Sequence, residues 1–164
     1  MITLTLIIVI CIIIHNSNKK KALNNIQEAL ITLAGSENVT YVKSKAYDFM
    51  VNYNEKTYLI KMIYHPARYE INVNAKDYWQ VNKGVVSSRK TGEQMQGVYE
   101  LINFDLKANN FSKNTVKLYV IYPSSRCLMK VLNECEMQFI KPKTDIYGTK
   151  MTNFTDLVDN FNEF

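Results

Sequence analysis

Two oppositely charged side chains sit where the chain reads as a hairpin. Residues 46–52 and 57–63 are rich in Tyr, Val, Ile and Phe, and the Asn-rich stretch 52–56 between them reads as a turn. A turn centred between Asn54 and Glu55 makes paired residue numbers sum to 109, which sets Asp48 directly opposite Lys61. Alternation adds Met50, Leu59 and Ile63 to their face and assigns Phe49, Val51, Tyr58, Ile60 and Met62 to the other. A carboxylate and an ammonium thus stand among apolar neighbours. Buried charges require pairing, and each is available to the other.

Other reactive side chains are sparse. His15 follows the first apolar run and His65 precedes Pro66 in a turn, so both read as surface residues, with little material for a metal triad or a nucleophile-base pair. Cys11 lies in the apolar run, leaving Cys127 and Cys135 as two structural thiols without a CxxC knuckle. The glycines are scattered and form no phosphate loop. Ser87-Ser88-Arg89-Lys90 and Ser124-Ser125-Arg126 read as exposed basic turns able to touch phosphate. Tyr78 and Trp79 stand between Lys76 and Lys83, a grouping that can stack on single-stranded bases or form a core edge or an interfacial belt.

The elements that must position these residues begin with a membrane signal. Residues 1–14 are uncharged and apolar, residues 15–18 are polar, and Lys19, Lys20 and Lys21 follow. Charge placed after the apolar run is the reverse of a secretory signal, and the positive-inside rule then keeps the lysine side in the cytoplasm. Residues 1–18 are therefore expected to be a single-pass anchor with the N-terminus outside. Fourteen helical residues cover only about 21 Å of a roughly 30 Å hydrocarbon layer, so the polar residues behind them and bilayer thinning must supply the rest. The net charge is +5, of which these lysines carry three, so the remaining domain is only mildly basic. That charge is too small to mark a nucleic-acid footprint.

Residues 22–164 are long enough for one domain with a real core. A helix over 22–34 presents Leu23, Ile26, Leu30 and Leu33, and Gly35 can end it. Strands are predicted at 39–44, 46–52, 57–63 and 70–73, and 77–89 reads as an exposed hairpin or loop. A second helix over 91–107 is predicted from Met95, Val98, Tyr99, Ile102 and Leu106. A buried strand at 116–122, a short helix at 125–132, a strand at 136–140 and a helix at 154–161 complete the order. The implied class is α+β, a mixed central sheet flanked by helices.

This order, with Asp48 in Tyr47-Asp48-Phe49-Met50-Val51 and Lys61 in Tyr58-Leu59-Ile60-Lys61, resembles the PD-(D/E)xK nuclease-like superfamily, a restriction-endonuclease-like fold. The nearest form is the nuclease-related (NERD) domain, with Tyr78-Trp79-Gln80 before Gly84 and Gln94 or Gln96 on the next helix as further matches. The resemblance implies that Asp48 and a second acid hold Mg²⁺ while Lys61 orients the attacking water. Leu59 occupies the place of that second acid, and one carboxylate is a poor Mg²⁺ site. Glu28, expected to face solvent, and Glu70, which needs a favourable bend after Pro66, are the candidates for a migrated ligand. The expectation is thus a membrane-tethered module without an intact catalytic site and without a cofactor, binding a nucleic acid or protein through residues such as Lys76, Tyr78, Trp79, Lys83, Arg89 and Lys90, with no small-molecule substrate. The alternatives are an active Mg²⁺-dependent nuclease and an exported domain in which Cys127 pairs with Cys135 and the sequons at Asn38, Asn110 and Asn153 are used.

Overall fold

The computed structural model describes residues 2–42, 46–65, 70–75, 78–82, 96–100, 114–133 and 136–164. Its first element is a single helix, α1 (Ile2–Ala34), of 33 residues and about 50 Å. The expected division into an anchor and a separate helix over 22–34 is replaced by one rod. Asn16, Ser17 and Asn18 each cost only about 0.7 kcal/mol or less inside a helix, and neither Gly nor Pro interrupts them. No helix among the described residues is long and apolar enough to cross a membrane. The two halves of α1 nonetheless differ sharply. Leu4 to Ile14 are exposed, whereas Ala22, Ile26, Leu30 and Ala34 are buried at a spacing of four. Gly35, at φ 87°, ends the helix, and the Asn38 carboxamide donates to the Ala34 carbonyl at 2.7 Å.

A first sheet follows the helix. β1 (Val39–Tyr41), β2 (Phe49–Tyr53) and β3 (Lys56–Tyr64) form an antiparallel meander. Its turn has Asn54 at φ 48° and Glu55 at φ 64°, the pair of left-handed conformations that a two-residue hairpin loop requires. The register is the expected one, Phe49 opposite Ile60. A second sheet begins with β4 (Glu70–Ala75), β5 (Tyr78–Asn82) and β6 (Gln96–Glu100). The chain then returns to the first sheet as β7 (Thr115–Tyr122), parallel to β3, before β8 (Cys127–Asn133) and β9 (Glu136–Phe139) extend the second sheet and β10 (Lys150–Asn153) completes the first. The orders are β1-β2-β3-β7-β10 and β6-β5-β4-β8-β9. Helix α2 (Phe154–Asn160) closes the chain with a short 3₁₀ turn.

Three expectations are corrected here. The stretch 96–100 is a strand antiparallel to β5, because ladder pairing outweighs its helical spacing; the rest of 91–107 lies outside the described residues. The stretch 125–132 is mainly β8, whose parallel pairing with β4 puts Leu128 in the core. Within 77–89, Tyr78–Asn82 is β5 and not an exposed loop.

The class is α+β with two mixed sheets. Among the described residues, helices cover one face of the first sheet, and the second sheet covers the other. On the helical side Phe49, Val51, Tyr58, Ile60 and Met62 pack with Ile26, Leu30, Leu157 and Phe161. Between the sheets Tyr119, Ile121 and Met151 meet Ile71, Val73, Trp79, Val81 and Leu128. Asp48 and Lys61 belong to this second interface by alternation, since Lys61 pairs in register with Tyr119.

Candidate functional site

Asp48 precedes β2, at the point where β1 and β3 are tied together. Val42 N–H donates to the Asp48 carbonyl at 2.7 Å, and Asp48 N–H donates to the Ile60 carbonyl at 2.8 Å. Its carboxylate is equally committed. Oδ2 accepts Met62 N–H at 2.8 Å, and Oδ1 accepts the Lys61 ammonium at 3.2 Å. The Asp48 and Lys61 side chains are only 17% and 11% exposed, so the pair is largely removed from water. Asp48 therefore extends the β2–β3 ladder by one side-chain rung and neutralises Lys61. The sequence pointed to the ion pair; the Met62 N–H, a backbone donor two residues past the opposite strand's pairing point, leaves no signal in residue type.

The acids that a metal site would need are elsewhere. Leu59, in the second-acid position, has no exposed surface and is part of the packing. Glu28 is exposed on α1, which packs on the opposite face of the first sheet from Asp48, so the sheet itself separates the two. Glu70 is buried at the start of β4, and alternation with the inward-facing Ile71 turns it to the far side of the second sheet. Among the described residues no three His, Cys, Asp or Glu side chains gather into a possible metal group. The Asp48–Lys61 couple can hold two strands together; it offers a divalent cation one carboxylate whose oxygens are already engaged.

The proposed nucleic-acid surface is only partly described. Lys76, Lys83, Arg89 and Lys90 lie outside the described residues, and Tyr78 is placed on β5 by its backbone. Trp79 is not a stacking platform. It is 4% exposed and meets Tyr119 edge-on at 5.4 Å, and its indole Nε1 has no hydrogen-bond partner among the described residues. Tyr119 was the missing clue, since its strand reads only as an apolar run. Ser125, read as part of an exposed basic turn, is buried and clamped: its N–H donates to the Asn153 Oδ1 at 2.8 Å, and its hydroxyl lies 3.0 Å from the same oxygen. Arg126 alone of that turn is exposed.

His65 is also corrected, being 4% exposed, with its N–H donating to the Tyr122 carbonyl. Cys127 is a free thiol at the end of β8 opposite the β8–β9 connection, while Cys135 lies outside the described residues. Burial pushes the Cys127 thiol above its ordinary value, and the neighbouring Glu70 carboxylate adds to the rise. The Cys127–Cys135 pairing of the exported alternative falls on Cys135 and so lies outside the described residues. Asn153, the Asn of the third sequon, is half-buried and its carboxamide hydrogen-bonds to the Ser125 backbone.

No protein-family model matches the chain, no curated protein matches it in sequence, and no solved structure matches it.

Proposed function

We propose that this protein is a membrane-tethered, non-catalytic α+β module of nuclease-like ancestry that holds a partner near the bilayer. The observation that carries the reading is the exposed half of α1. Leu4, Leu6, Ile7, Ile8, Val9, Ile10, Ile12, Ile13 and Ile14 are all between 46% and 64% exposed on one continuous helix. Side chains of this class gain about 1.5–3 kcal/mol each on leaving water, and a patch of this size marks an interaction surface. Lys19, Lys20 and Lys21 bound the patch on the domain side. In this reading the apolar half enters the bilayer with local thinning, and the lysines keep the domain on the cytoplasmic side.

The nuclease-like ancestry draws on the order of elements: a leading helix, an antiparallel meander with Asp48 just before β2 and Lys61 on β3, and β7 returning parallel to β3. Leu59 at the second-acid position and the double engagement of the Asp48 carboxylate support the non-catalytic reading. Burial of Trp79 takes one of the two aromatic rings out of the expected nucleic-acid surface, which favours a protein partner over a nucleic acid.

The test combines flotation with an activity assay. The full chain should float with lipid vesicles and resist alkaline extraction, and protease added outside right-side-out cells should spare the domain. It should not cleave DNA with Mg²⁺ above an Asp48→Asn control. Cleavage abolished by Asp48→Asn would overturn the non-catalytic reading, and a chain left in the soluble fraction would overturn the anchor.

A further inference from the structure

The fold gives the molecule two distinct ends. Helix α1 runs antiparallel to β3: its His15 ring stands edge-on to Tyr64 at 5.3 Å, and Asn25 donates to the Tyr122 hydroxyl at 2.7 Å. At the other end Ala34 and Asn38 line a polar pocket with the Asn54–Glu55 turn. The C-terminal ends of β3, β7 and β10 therefore share the end beside the apolar half of α1. Tyr64 and Tyr122 are register partners there, and Asn153 lies beside Ile121.

From Asn153 a groove of about 250 Å³ leads to Arg126, Phe139 and Lys141. Arg126 and Lys141 are exposed, and Phe139 is 68% exposed, an unusual state for an aromatic ring beside a core. One acid, Asp156, also lines the groove, and its carboxylate accepts the Thr155 hydroxyl at 3.2 Å.

We infer that this end of the domain rests on the headgroup layer of an anionic bilayer, with Phe139 entering the interface and Arg126 and Lys141 meeting lipid phosphates and carboxylates. The inference rests on the anchor reading above. Because α1 continues without a break from Ile14 into the domain, no linker lets the domain lift away, and the His15–Tyr64 contact places this end at the depth where the apolar run stops. Exposed aromatics flanked by cations suit that layer, where the ring body is apolar and the headgroups are negative. The stem then supplies retention and the end face fixes the domain's orientation.

The test uses the full chain with Cys11→Ser, Cys127→Ser and Cys135→Ser and one new thiol, Phe139→Cys or Glu55→Cys, carrying a bimane label. Vesicles of phosphatidylcholine with phosphatidylserine, or of phosphatidylcholine alone, carry a headgroup-level nitroxide quencher. With phosphatidylserine, the label at 139 should be quenched several-fold more than the label at 55, and Arg126→Gln with Lys141→Gln should remove most of the difference. Failure of the chain to float overturns the anchor and this inference together. Flotation with equally weak quenching at both positions overturns this inference alone. Equal quenching at 139 with and without phosphatidylserine overturns recognition of the anionic headgroup.

Discussion

Removing the Asp48 carboxylate tests the structural role assigned to it. Asp48→Ala leaves the Lys61 ammonium without its counter-charge in a site where that side chain is 11% exposed, and it leaves Met62 N–H without an acceptor. Breaking one partner of a buried pair costs about 3–5 kcal/mol. An orphaned backbone donor costs about 1–3 kcal/mol, and partial escape of the flexible lysine head to water offsets part of both. We expect a net loss of about 4 kcal/mol. Asp48→Asn retains an oxygen for Met62 N–H and loses only the charge, so about half of that loss is expected. Asp48→Ala combined with Lys61→Met removes the stranded charge and should recover about 2 kcal/mol relative to Asp48→Ala alone. The assay is urea unfolding of the full chain in mild non-ionic detergent, followed by fluorescence of Trp79, the single tryptophan, which is buried between the sheets. A loss below about 0.5 kcal/mol for Asp48→Ala, or no recovery in the double variant, would refute the bracket role.

Other outcomes follow from the same structure. Leu30→Ala, in the buried half of α1, should lower stability by about 2–5 kcal/mol, whereas Ile10→Ala should leave unfolding unchanged and reduce only vesicle partitioning, measured by flotation. Burial, reinforced by Tyr53, raises the Tyr58 phenol above its ordinary value of 10.0. The unfolded chain therefore releases that proton first as the pH rises, so the Tyr58 contribution is complete below pH 10.0 and is lost above it; Tyr58→Phe should flatten the alkaline decline in urea midpoint. The raised Cys127 thiol should react with iodoacetamide at pH 8 more slowly than the same thiol in the urea-unfolded chain, as read by mass spectrometry; equal rates would contradict its burial. Gly35→Ala should cost about 1–2 kcal/mol in urea unfolding, because the backbone is at φ 87° and a Cβ would lie 2.6 Å from the Glu37 carboxylate, whose flexible end can yield.

Much that was legible in the sequence is local. The helix end at Gly35, the Asn54–Glu55 turn and the register pairing Phe49 with Ile60 depend on backbone preferences of a few neighbouring residues and on period-two alternation. The apolar half of α1 and its bounding lysines are equally visible, since a run of uncharged side chains needs no tertiary context to be read. Misreadings occur where a segment's neighbour is distant in sequence. The stretch 96–100 has helical spacing yet pairs with β5, and 127–133 becomes a strand because β4 is there to accept it. Strand formation is decided by a partner, whereas a helix satisfies its own backbone.

The candidate site divides along the same line. Residue types and hairpin register brought Asp48 within reach of Lys61, because the turn sets which positions of the two strands meet, although Asp48 itself lies just before β2 with its N–H on the Ile60 carbonyl. Tertiary structure decided what surrounds the pair. It closed the second-acid position with a fully buried Leu59, set Glu28 across the sheet and Glu70 on the far side of another, and drew Trp79 into the core against Tyr119. Only the assembled sheets could bring Tyr64 beside Tyr122, Arg126 and Phe139 at the end next to the apolar helix, since between β3 and β7 the chain runs out through β4, β5 and β6 of the other sheet. Short-range chemistry is written in adjacent residues; which surfaces remain open to a partner depends on how the layers cover one another.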